Sequence, residues 1–195
     1  MTVATLFVLF ALFLVVGLPL AFAMGLSAIA AIWLSGQSML ILPQRITASL
    51  DSFALLAVPL FILAGELMNS GGITERIVRF SRSAMGHFKG GLAQANVLSN
   101  MFMAALSGSS LADLSAIGSM MIPAMVREGY NKAYSVAITA CAALMAPIIP
   151  PSIIAVIYGS MTGISIGSLF LAGAIPGVLA GLGIMVIARL LAERG

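Results

Sequence analysis

The sequence predicts an all-α polytopic membrane protein, and three observations carry that class. Of the 195 residues, 61% are hydrophobic and only 8% charged. A soluble domain carries about a quarter charged residues, so this chain lacks the charge to cover a water-facing surface. The apolar residues fall in long runs, not in the period-2 alternation of a membrane β-barrel. The Lys and Arg residues stand between those runs, at 45, 76, 79, 82, 89, 127, 132, 189 and 194, as they do in loops on the cytoplasmic side of a membrane. The same distribution excludes a nucleic-acid binder, because no basic stripe with interleaved aromatics exists.

Residues 3–18 form the first apolar run and close at Gly17-Leu18-Pro19. Ala21-Phe22-Ala23 imitates a signal-peptide cleavage site. No Lys or Arg precedes Arg45, however, so the basic leader region is missing and a retained helix is expected. Residues 20–33 make a second helix, with Trp33 at an interfacial position. Residues 40–50 hold Pro43 and Arg45 and read as interfacial. Residues 52–68 are the next span, open to a kink at Pro59. Asp51 and Glu66 sit near its ends, where water or headgroups reach a carboxylate, and are expected to be structural or interfacial. Gly71-Gly72 ends it.

Residues 73–87 carry Arg76, Arg79 and Arg82 on one face and Ile73, Ile77, Phe80 and Ala84 on the other. That pattern predicts an amphipathic helix lying on membrane lipids. The single histidine, His87, follows in a basic loop. Cys141 cannot form an intramolecular disulfide, being the only cysteine, and is expected to be a small core residue. The methionines read as gap-fillers in helix packing.

Gly90-Gly91 opens the region with the most to say. Residues 92–106 and 111–125 would each be about 22 Å long as helix, short of a ~30 Å membrane core, and both outer ends are charged. A re-entrant hairpin over 90–127 fits, with Ser107-Gly108-Ser109-Ser110 at its tip. Ser110 and Asp113 have capping-box spacing, which accounts for Asp113 without an ion. Residues 130–162 would be about 50 Å as one helix. Ala146-Pro147-Ile148-Ile149-Pro150-Pro151-Ser152 interrupts them, because proline removes an N–H and clashes with the preceding turn. Pro151 suits the first turn of the second half-helix. Residues 168–191 are the last span, ending at Arg189, Glu193 and Arg194.

The expected domains are 1–89 (scaffold helices plus the interfacial helix), 90–167 (a transport-type unit, hairpin 90–127 and broken helix 130–162) and 168–195 (a final helix). Placing 73–89 in the cytoplasm puts every basic residue but Arg45 on that side and the N-terminus outside.

Interrupted helices inside a membrane leave backbone groups without intrahelical partners. Carbonyls and serine hydroxyls are hard ligands for a small cation, and helix N-termini favour an anion. The pairing is the logic of a secondary transporter that couples a cation to an anionic substrate. Asp113 as a cation ligand would add attraction but repel a substrate carboxylate.

The run Ser107-Gly108-Ser109-Ser110-x-Ala112-Asp113-x-x-Ala116-Ile117-Gly118, then Pro147-x-x-Pro150-Pro151-Ser152 and Phe170-x-Ala172-Gly173-x-x-Pro176-Gly177, resembles the large membrane subunit, DctM type, of TRAP (tripartite ATP-independent periplasmic) transporters. Gly65-Glu66-Leu67-Met68 and Gly71-Gly72-Ile73 fit the same pattern. The resemblance spans nearly the whole chain. It implies sodium-coupled uptake of an organic acid, of the C4-dicarboxylate or sugar-acid class, in a bacterial or archaeal inner membrane. It implies two partners, a small four-helix membrane subunit and an extracytoplasmic binding protein, and an elevator movement. It also implies sodium binding at Ser107, Gly108, Ser109 and Ser110 and at the backbone of Ala146, Pro147, Ile149 and Pro150. Ser109, Ser110, Pro151 and Ser152, at the starts of the two following helices where orphan N–H groups are expected, are the expected substrate contacts. No catalytic residue, resident metal or cofactor is expected beyond the coupling ion. The family's subunit is about twice this length, built of two inverted repeats, so one repeat half is expected here, a fragment that does not transport alone.

Three alternatives remain at this point. Ser109 as an intramembrane nucleophile lacks a base within reach. A divalent-anion/sodium symporter or arsenite-type permease would need no binding protein. A structural membrane component would show no sodium response.

Overall fold

The protein, described here as a computed structural model, is defined over residues 2–50 and 53–192. The expectations for Asp51, Glu193 and Arg194 lie outside the described residues. Among the described residues the fold is wholly helical, and its contacts divide the chain into two compact units, 1–52 and 53–195.

The first unit holds α1 (Thr2–Val15), α2 (Leu20–Leu34) and α3 (Ile41–Leu50). Helices α1 and α2 pack together, and α2 buries Ala23, Ser27 and Ala31. That spacing is one helical stripe of small residues. Lipid is as apolar as leucine, so small residues that let backbones approach are what membrane helices bury. Trp33, at the end of α2, is 71% exposed.

The second unit holds α4 (Phe53–Ser70), α5 (Ile73–Met85), α6 (Gly91–Ser107), α7 (Ser110–Arg127), α8 (Lys132–Ala143), α9 (Ile153–Thr162) and α10 (Ile166–Ala192). Its core is the α6–α7 hairpin packed on α8, with Val97, Met103, Ile117, Met121, Met125 and Met145 buried among alanines. Four of the methionines therefore fill gaps as expected. Helix α4 runs unbroken through Pro59, and α10 through Pro176. Ile166–Leu191 is long and apolar enough to cross a membrane alone; Leu56–Ser70 and Ile73–Met85 qualify as one span bent by 67° between them.

Three expectations are corrected. Helix α5 packs along α6 and buries Thr74, Val78 and Ser81, while Phe80 is exposed. The buried stripe is thus turned by one residue from the apolar face that its pattern suggested, of which Ile73, Ile77 and Ala84 are half-buried and Ile77 packs against the core. Contacts group α4 and α5 with the hairpin, although the sequence reading set them with the N-terminal helices. Cys141 is exposed rather than core; it shares the outer side of α8 with Val136 and Leu144, while Ala142 and Thr139 take the inner face.

Candidate cation and substrate site

The hairpin turns in two residues. Helix α6 runs to Ser107, Gly108 takes the left-handed conformation (φ 59°), and Ser109 is the N-cap of α7. The Ser109 hydroxyl accepts the Ala112 N–H at 3.5 Å. The cap is therefore Ser109, not Ser110, which is the first residue of the helix. Asp113 does not reach back to a backbone N–H; its Oδ1 accepts the Ser107 hydroxyl. That hydroxyl oxygen in turn accepts the Ser109 N–H at 3.1 Å. Ser107, Ser109 and Asp113 thus lock the tip. Among the described residues the carbonyls of Ala105, Leu106 and Ser107 accept no backbone N–H, as expected of a helix C-terminus.

The second interruption is longer. Helix α8 ends at Ala143, and residues 144–149 descend in tight turns: Met145 N–H to Ala142 O and Ala146 N–H to Ala143 O, both 3.2 Å, then Ile149 N–H to Met145 O, 2.8 Å. The Pro150–Pro151 peptide bond is cis. Helix α9 begins at Ile153 with Ser152 as its N-cap, accepting Ala155 N–H at 3.2 Å. Pro151 accordingly lies before the cap rather than in the first turn. The Ser152 hydroxyl donates to the Pro147 carbonyl at 2.8 Å, closing the interruption on itself. Ala146, Ile149 and Ser152 are buried and Pro147, Pro150 and Pro151 half-buried.

The two interruptions meet at Gly108. A Cβ built there would stand 2.7 Å from the Pro151 carbonyl oxygen, 3.1 Å from Ile153 N and 3.2 Å from Ser152 Cα. Only a glycine admits both that contact and the positive φ. Behind the joint, α10 braces the interruption through glycines: a Cβ at Gly173 would lie 2.5 Å from the Ile148 carbonyl oxygen, and one at Gly177 3.3 Å from Ile149 N.

In front of the tip lies a cavity of about 130 Å³, lined by Gly65, Glu66 and Asn69 of α4, Ser107, Ser109 and Ser115 of the hairpin, and Ile153 of α9 among others. Glu66 was expected near a helix end with a structural or interfacial role, and it does lie exposed toward the end of α4. The fold also brings it to the tip serines, with which it lines the cavity, a Cβ at the neighbouring Gly65 being 3.9 Å from Ser107 Cα. The sequence marked the carboxylate but held no signal for this neighbourhood. Behind the tip, Asn96 donates to Thr139 Oγ1 (2.7 Å), Asn100 donates to the Asn96 carbonyl (2.9 Å), and Thr139 donates to the Ser135 carbonyl (2.6 Å). No sequence motif announced this buried polar ladder.

Two interrupted helices are thus joined through main chain, with backbone and serine oxygens around the joint and serines capping both following helices. Residues 7–195 match the DctM component of the tripartite ATP-independent periplasmic transporters. The chain is 43% identical over 188 residues to the C4-dicarboxylate TRAP transporter large permease protein DctM of Vibrio cholerae, covering 95% of this chain and 42% of that protein. It is 38% identical over 179 residues to the sialic acid TRAP transporter large permease protein SiaM of the same organism (91% and 42%). It is 45% identical over 181 residues to the isethionate TRAP transporter permease protein DctMQ of Oleidesulfovibrio alaskensis (92% and 28%). The chain belongs to the DctM family. It spans less than half the length of these relatives. Family membership removes the intramembrane-hydrolase alternative, along with the divalent-anion and arsenite-type permeases. His87, moreover, lies in an exposed loop against Phe88.

Proposed function

We propose that this chain provides one half of the large permease unit of a sodium-coupled secondary transporter for an organic acid, placed in a bacterial or archaeal inner membrane with its N-terminus outside. It works with a small four-helix membrane subunit and an extracytoplasmic binding protein. The substrate class is not narrowed below organic acids, since the relatives' names span C4-dicarboxylate, sialic acid and isethionate.

The observation that supports the reading most is the joint at Gly108, which brings the α6 C-terminus and the 144–152 interruption into main-chain contact. There the chain offers backbone carbonyls and the hydroxyls of Ser107 and Ser109, hard oxygen donors suited to an alkali cation. The N-termini of α7 and α9, capped by Ser109 and Ser152, offer N–H groups to a carboxylate. The sodium set is Ser107, Gly108, Ser109, Ser110 and the backbone of 146–150; the substrate set is Ser109, Ser110, Pro151 and Ser152.

The test is thermal unfolding of the purified chain in detergent, in NaCl against N-methyl-glucamine chloride at constant ionic strength. Sodium is expected to raise the midpoint, and the double change Ser109→Leu, Ser110→Leu to abolish that rise while the protein still inserts. A wild-type chain indifferent to sodium refutes the ion site.

A further inference from the structure

Asp113 is fully buried. Its Oδ1 holds the Ser107 hydroxyl, and among the described residues its Oδ2 has no hydrogen-bond partner. Capping does not account for it, because Ser109 makes the cap. Among the described residues Asp113 has no ion-pair partner, and the salt bridge that does form, Arg82 to Glu128, lies on the exposed side of the unit. An ionised carboxylate taken out of water and met by one hydroxyl is strongly disfavoured, so such a group either holds a proton or is accompanied by a positive charge. The α7 N-terminus supplies a partial charge, which falls short of a full one. A buried acceptor left unsatisfied beside the tip suits a cation.

We infer that Asp113 is a positioning residue for the cation at the tip: it draws the Ser107 hydroxyl hydrogen toward itself and supplies the counter-charge that a desolvated monovalent cation needs. Ser107 Oγ donates to Asp113 and accepts from the Ser109 N–H, so its remaining lone pair is directed by those two bonds. The carboxylate works through Ser107 and by its charge. The inference rests on the sodium reading above and assigns a role to a residue that reading leaves out.

Asp113→Asn keeps the side-chain shape and an acceptor for Ser107 while removing the charge. In the sodium titration of thermal unfolding, the half-saturating concentration is expected to rise at least tenfold, with the midpoint in N-methyl-glucamine chloride unchanged or higher. A purely structural role would lower that sodium-free midpoint and leave the half-saturating concentration alone; an unchanged value overturns the inference and spares the sodium reading. No sodium response in either protein overturns both. Should Asp113→Asn fail to fold, Asp113→Glu decides: a half-saturating concentration within threefold of wild type supports the counter-charge, and a lost response overturns it.

Discussion

Gly108→Ala tests the joint on which the site depends, and the structure supplies its own control. Two costs combine at position 108. The first is conformational: at φ 59° a Cβ crowds its own backbone, at about 1–2 kcal/mol. The second is packing: the new methyl would stand 2.7 Å from the Pro151 carbonyl oxygen and 3.2 Å from Ser152 Cα. Backbone cannot swing aside as a flexible side chain does, so either the tip or the interruption must shift, at about 1–3 kcal/mol. Gly163, at the C-terminus of α9, has φ 74° but nothing within 4 Å of a built Cβ. Gly163→Ala therefore carries the first cost alone. SDS titration in mixed micelles, followed by circular dichroism, should find Gly108→Ala less stable than Gly163→Ala by about 1–3 kcal/mol. Losses equal within about 0.5 kcal/mol, the usual scatter for substitutions of no special consequence, would refute the contact between tip and interruption.

Two further outcomes follow from the same packing. Gly173→Ala drives a methyl to 2.5 Å from the Ile148 carbonyl oxygen, whereas Gly181→Ala meets the Met101 sulfur at the same 2.5 Å; because methionine repacks readily, the first should cost about 1–3 kcal/mol in SDS titration and the second clearly less. Thr139→Val removes the 2.7 Å acceptor of Asn96 and leaves its amide only the Met125 sulfur at 3.4 Å, a loss of about 1–3 kcal/mol, read as a lower melting midpoint that is independent of sodium.

What was legible in the sequence was local. Three prolines within residues 147–151 break a helix whatever surrounds them, and the serine-glycine tip turns for equally local reasons. The cap itself moved by one residue because Ser109 and Ser110 carry the same hydroxyl; the left-handed Gly108 decides which of them leaves the helix first. Burial was harder to read. In a soluble helix the apolar stripe marks the core. Where the surroundings are lipid, the outer face is equally apolar, so α5 hides Thr74 and Ser81 while exposing Phe80, and Cys141 points outward. The neighbourhood of Glu66 was illegible for another reason: it depends on α4 meeting the hairpin across some 40 positions of sequence, from Gly65 to Ser107, and no local signal encodes such a meeting.

The joint and the chemistry beside it are built from different parts of the chain, and this separates how they should fail. The contact at Gly108 is main chain against main chain, so it is insensitive to which side chains flank it so long as position 108 has none. The proposed cation and anion functions rest on the hydroxyls of Ser107, Ser109 and Ser152 and on the Asp113 carboxylate, each held by bonds within its own interruption. A change at Ser109 or Ser110 should therefore alter ion response with the joint intact. A change at Gly108 should lower stability first and ion response as a consequence, since it separates two oxygen-bearing segments that are each still locally folded. Loss of sodium response in Gly108→Ala without loss of stability would mean that the glycine serves the ion directly through its own carbonyl, and that the close approach to Pro151 is incidental to the site.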